Sequence, residues 1–242
     1  MCVIRYSLFD IRYSSFFAAV RDQPNINQQY RRSALVCLLL IVAAASLLLT
    51  YGKDESFVLI NGWNTPLLDR IMPYVTFLGD GMIYIPVLLL TFFFKRDYLY
   101  AIVAGIIICF LFTYVLKNHV FPQELRPFSL EHRGIAFHRV PGVELHERYS
   151  FPSGHTSTAF TMALLLGALM RSKALAFLMP LAALAVGFSR IYLAQHFLTD
   201  VTAGMVIGLA TSWMSLRYYH WVRDRKRPQD RSSDSPMVAE SE

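Results

Sequence analysis

His196 and Asp200 are four residues apart. On a helix that spacing puts a carboxylate on the same face as an imidazole, where it can hold one ring nitrogen while the other attacks an electrophile. A second histidine, His155, ends the run Pro152-Ser153-Gly154-His155. Two histidines are what a covalent phosphoryl transfer needs, one as nucleophile and one as proton donor to the leaving group. Around them in the chain stand Lys117, Arg126 (followed by Pro127) and Arg190 (preceded by Ser189). Three cations brought together repel one another unless an anion with several oxygens lies among them, and phosphate is such an anion. Ser153 and Gly154 fall where a helix would begin, so their N–H groups and the positive helix end can point at the same anion while Ser153 also caps the helix. His119, His132, His138 and His146 occupy a polar stretch without a matching carboxylate spacing and read as solvent-exposed or substrate-lining.

The elements that must position these groups are membrane helices. The chain has 242 residues, 55% of them hydrophobic, with a mean hydropathy of +0.38, too apolar for an ordinary soluble domain of this size. Six stretches are free or nearly free of charge: 33–52, 71–94 with Asp80 as its only charge, 98–116, 150–170, 174–189 and 201–216. About 20 such residues in a helix cross the hydrocarbon layer, so the expected fold is an all-α polytopic bundle of six transmembrane helices. The membrane domain covers 33–220, after a cytoplasmic segment 1–32 and before a disordered cytoplasmic tail, 221–242. No cleavable signal peptide is read, and the first stretch serves as an anchor. Between the first two spans, 57–72 suits an amphipathic helix at the interface, with a plain loop as the alternative. Gly204 and Gly208 form a GxxxG, read as close packing inside the bundle. Cys2, Cys37 and Cys109 suit neither a metal site nor a disulfide framework.

The net charge of +6 could signal a nucleic-acid partner, but the placement of the basic residues assigns it to topology. Fifteen of the 23 Lys and Arg residues precede the first span or follow the second, fourth and sixth. The positive-inside rule puts those segments and both termini in the cytoplasm, so no nucleic-acid partner is expected. The polar stretch 118–149 then faces outward. With helix directions alternating, Lys117, Arg126, Ser153, Gly154, His155, Arg190, His196 and Asp200 all arrive at that outer surface.

These residues resemble the three motifs of the type 2 phosphatidic acid phosphatase superfamily, K-x6-RP, PSGH and SR-x5-H-x3-D. The second matches at Pro152 to His155, and the third at Ser189, Arg190, His196 and Asp200. The first differs, with eight residues between Lys117 and Arg126 where the pattern has six, an insertion that a turn around Phe121-Pro122 could absorb. The resemblance covers roughly 98–213. It implies a helical core and a lipid phosphatase in which His196 forms a phosphohistidine, Asp200 orients it and His155 is the general acid. Lys117, Arg126, Ser153, Gly154 and Arg190 would hold the phosphoryl oxygens, with no metal or other cofactor. The implied partner is a phosphorylated lipid of a bacterial inner membrane. Undecaprenyl pyrophosphate and lipid A rank ahead of phosphatidylglycerol phosphate and phosphatidic acid. Two other readings are a vanadium-haloperoxidase-like oxidase, which six spans count against, and a non-catalytic phospholipid carrier, which would not need the His196–Asp200 pair.

Overall fold

Asn25 opens the first helix, α1 (Ile26–Asn61), by accepting the Gln28 N–H on its side chain. In this computed structural model, which describes residues 25–170 and 172–226, α1 bends at Gly52, whose φ of 73° is a conformation that side chains disfavour. The first 24 residues of the expected N-terminal segment lie outside the described residues. The helix expected over 57–72 is two pieces, because a start signal sits in its middle. Thr65 caps Leu68 N, and Pro66 takes the first helical position of α2 (Pro66–Val75).

The second apolar stretch is also broken. Two 3₁₀ turns, Thr76–Gly79 and Gly81–Ile83, separate α2 from α3 (Tyr84–Phe94), and the halves meet at 60°. Alone, α3 is about 17 Å long, too short to cross a bilayer. The chain continues as α4 (Leu99–Val115), the long loop, α5 (Gly154–Leu169), α6 (Lys173–Tyr192) and α7 (Leu198–Lys226). Helix α7 thus enters the stretch expected to be disordered, whose remainder, 227–242, lies outside the described residues.

The regular elements of the described residues are all helical, with no strand among them. Three helical segments among them are long and apolar enough to cross a membrane, Ile26–Asn61, Arg96–Val120 and Lys173–Tyr192, and the bent pair makes a fourth if it is one span. Helix α5 falls short on length, with 16 residues or about 24 Å of helix. It is the centre of the bundle, packed on α7, α6, α1 and α4, and buried on nearly every side. Protein surrounds it, so it tolerates Ser157 and Thr161, both fully buried. Lipid-facing residues such as Leu35, Leu39 and Leu49 are instead on α1.

Polar bonds hold the helices where dispersion alone would be unspecific. Ser33 Oγ donates to Ala176 O at 2.7 Å, Tyr98 Oη to Leu165 O at 3.0 Å, and Tyr30 and Ser212 share a bond at 3.1 Å. The glycine pair faces inward: a Cβ on Gly204 would stand 2.8 Å from that of Thr156, and one on Gly208 2.5 Å from that of Phe160. Glycine therefore lets α7 lie directly on α5 and brings their first turns together.

Candidate active site

Those two first turns carry His155 and Asp200. Ser153 N donates to Asp200 O at 3.1 Å, tying the start of α5 to the start of α7. Asp200, 1% exposed, is saturated with donors. Its Oδ2 accepts from Ser150 Oγ, from Phe197 N at 3.0 Å and from His196 Nδ1 at 3.2 Å, and its Oδ1 accepts from Thr199 Oγ1 at 3.2 Å. A carboxylate among so many donors is ionised, so Nδ1 of His196 carries the proton and Nε2 has its lone pair. Burial pushes the imidazole of His196, in the turn between α6 and α7, down to about 3 against the pull of Asp200. The ring is therefore neutral near pH 7.

Ser153 is buried and caps α5, accepting from Thr156 N at 3.4 Å and sharing a bond with Thr156 Oγ1 at 2.8 Å. Nothing stands within 4 Å of a Cβ built on Gly154, so that face of the helix start is open to an approaching group. His155 is half-buried on the same turn. The peptide bond between Phe151 and Pro152, just before the cap, is cis.

The three cations reach the site from three elements. Arg190, in the last turn of α6, is 8% exposed. Its Nη1 donates to Thr76 Oγ1 at 2.8 Å, while its buried Nε has no hydrogen-bond partner among the described residues. Its carbonyl accepts from Gln195 N and His196 N, which closes the turn that presents His196. Arg126 is aimed by the loop: Nε donates to Arg148 O at 2.9 Å and Nη1 to Gln195 Oε1 at 2.9 Å, and Gln195 Nε2 donates to Glu144 O at 2.7 Å. Burial lowers the Arg126 guanidinium from its usual range and the Asp200 carboxylate opposes that shift.

Lys117 sits in a π-helical turn, Leu116–Val120, closed by Phe121 N donating to Leu116 O at 2.8 Å. A π-turn takes up an extra residue within a helix, and the chain turns again at 121–123. The longer first-motif spacing is accommodated there, and Lys117 remains within electrostatic reach of Arg126, Arg190 and Asp200. All eight residues singled out by the sequence thus gather at one end of the bundle.

The loop histidines are less uniform than expected. His138 is not a free or lining residue: its Nε2 pairs with Asp69 at 2.7 Å, and Asn61 bonds its backbone through both N–H and C=O. His132 faces Glu147 at 3.8 Å, and His119 lies edge-on to Tyr114. Sequence reasoning missed Ser150, Gln195, Thr76 and Asn61. Ser150 and Gln195 adjoin motif residues, which is the one signal available for them.

Comparison with known proteins agrees with this geometry. The profile of the PAP2 superfamily matches residues 88–224. The lipid A 4'-phosphatase of Porphyromonas gingivalis is 27% identical over 173 residues, 70% of this chain and 73% of that one. The undecaprenyl-diphosphatase of Sulfolobus acidocaldarius is 31% identical over 166 residues, 67% of this chain and 76% of that one. The crystal structure of Aquifex aeolicus LpxE superposes with a TM-score of 0.61 at 30% identity, covering 69% of this chain and 95% of that one. With the motif residues gathered at one end of a helical bundle and these likenesses in sequence and structure, the chain belongs to the PAP2 superfamily.

Proposed function

We propose that this membrane lipid phosphatase removes the terminal phosphate of a lipid monophosphate or diphosphate, with His196 as nucleophile. The observation that carries the reading is the His196–Asp200 pair, 2% and 1% exposed, held beside a buried arginine nitrogen with no acceptor among the described residues. Nε2 of His196 attacks phosphorus as the bond to the lipid oxygen breaks, and the proton of His155 goes to that oxygen. Water then attacks the phosphohistidine, gives a proton to neutral His155, and inorganic phosphate leaves with Nε2 regenerated. Lys117, Arg126, Arg190 and the Gly154 N–H hold the phosphoryl oxygens, while Ser153, whose own N–H is given to Asp200 O, caps the helix start that faces them; three positive charges supply the stabilisation that a metal supplies in other phosphoryl transferases.

The same reading has six helical segments crossing an inner membrane, both termini cytoplasmic and the site on the extracytoplasmic face, as the distribution of basic residues supports. Isoprenoid diphosphate and lipid A phosphate are the favoured substrates, in keeping with a lipid A 4'-phosphatase and an undecaprenyl-diphosphatase among the relatives. The test is phosphate release by the purified protein from undecaprenyl pyrophosphate, lipid A, phosphatidylglycerol phosphate and phosphatidic acid, with halide oxidation assayed in parallel. Release from none of these lipids overturns the reading.

A further inference from the structure

A charge inside an apolar membrane segment is costly and marks a working group by default, and Asp80 is the single charge in the stretch 71–94. The bundle brings it to the site. The second segment breaks at Gly79-Asp80-Gly81, and the break lies against the first turn of α5. A Cβ built on Gly79 would be 2.6 Å from His155 O, 3.0 Å from His155 Cβ and 2.6 Å from Val186 Cγ1 on α6. Only a residue without a side chain lets the segment approach so closely. Three residues before Gly79, Thr76 accepts the Arg190 guanidinium at 2.8 Å. One broken segment therefore touches both the acid candidate and a phosphate-binding cation.

The charges acting on His155 come from every side of the site: Arg190 from α6, Lys117 from the end of α4, Arg126 from the loop, and Asp80 from the broken segment. Asp200, across the site on α7, is occupied by His196, Ser150, Thr199 and the Phe197 N–H. Burial first, and then three cations, oppose a positive imidazolium, and a single carboxylate favours it. A general acid must carry its proton when substrate arrives.

We infer that Asp80 is a positioning residue for the reaction: brought to His155 by the break in the second segment, it keeps that imidazole in its proton-donating form among the three cations. The inference rests on the phosphatase reading above. When phosphorus takes Nε2 of His196 and releases the lipid oxygen, His155 transfers its proton to that oxygen and becomes neutral. The following water returns a proton to it, and Asp80 favours that charged form again. Asp80 neither gains nor loses a proton in either step.

Asp80 also caps its own turn, accepting Met82 N at 3.1 Å, so the test must separate charge from cap. Asp80→Asn and Asp80→Ser each keep a capping oxygen and lose the charge, while Asp80→Glu keeps the charge. The readout is the pH profile of kcat on a lipid phosphate and on p-nitrophenyl phosphate, whose leaving group needs little protonation. Both neutral variants should move the alkaline limb of lipid hydrolysis to lower pH by about one unit. At pH 8 they should lose roughly tenfold in kcat with little change in KM, retain p-nitrophenyl phosphate hydrolysis, and be partly restored by Asp80→Glu. An unmoved limb in both, or equal losses on both substrates, defeats the inference while leaving the phosphatase reading intact. A wild-type protein without phosphatase activity defeats both.

Discussion

Asp200 holds the Nδ1 side of His196 at 3.2 Å, while the Gly79 break packs against His155, where a Cβ on the glycine would stand 3.0 Å from that of the histidine. The two histidines are thus prepared differently, one fixed as a neutral base and the other placed in a field of mixed charge.

Replacing His196 by Ala should abolish turnover of every substrate, because the attacking nitrogen is gone. Replacing His155 by Ala removes a proton donor, an effect of roughly 10² to 10⁴ in rate. It should fall on lipid substrates, whose alkoxide or phosphate leaving groups need protonation, far more than on p-nitrophenyl phosphate. Asp200→Asn should fall between the two. Acid-quench labelling with a ³²P-lipid gives the direct check: acid-labile label on the His196→Ala protein would overturn the assignment.

The depressed pKa of His196 has a definite sign. Its folded value near 3 lies below the usual 6.5, so the neutral nucleophile persists as pH falls from 7 to 5. The acid limb of kcat/KM should therefore not appear near pH 6.5. Folding stability moves the other way, because the unfolded chain takes up that proton below about pH 6.5 and the folded one does not until about pH 3. Thermal unfolding in detergent should come earlier at pH 5 than at pH 7, and a His196→Asn variant should show a smaller difference.

Three cations and the N–H of Gly154 at a helix start can stabilise a phosphoryl transition state without a divalent ion. Phosphate release should accordingly survive millimolar EDTA, and orthovanadate, a mimic of the five-coordinate state, should inhibit. Full loss of activity in EDTA with recovery on added Mg²⁺ would contradict the mechanism.

Gly208→Ala should destabilise by about 1–3 kcal/mol, since its Cβ would stand 2.5 Å from Phe160 Cβ and 3.0 Å from Thr161 N. Gly81→Ala, with nothing within 4 Å, is the neutral comparison. Melting curves in detergent decide, and equal midpoints for the two variants would show that α5 and α7 do not pack this closely.

The site was legible in the sequence where its residues are local to a motif. His196 and Asp200 share one turn, and the run from Ser153 to His155 is a helix start in itself. Helix count was less legible, because the second stretch breaks around Asp80 and α5 is only 16 residues long. The interfacial helix was misread because hydrophobic spacing over 57–72 hides the Thr65-Pro66 start signal in its middle. Thr76 and Asn61 left no trace at all. Thr76 meets Arg190 across 114 positions of chain and Asn61 meets His138 across 77, and nothing near either residue announces such a contact.

Gly52 also serves as a depth mark. Before it, α1 shows leucines to its surroundings over 33–52, about 30 Å of helix at about 1.5 Å per residue, the thickness of a hydrocarbon layer. After it, Lys53 pairs with Glu124, Asp54 with Arg133 and Asn61 with His138, all in the long loop. In the proposed membrane arrangement the hydrocarbon layer ends where the loop begins, which sets the cluster of Lys117, Arg126 and Arg190 level with lipid headgroups. A lipid can present its phosphate to His196 with its chains still among those of its neighbours.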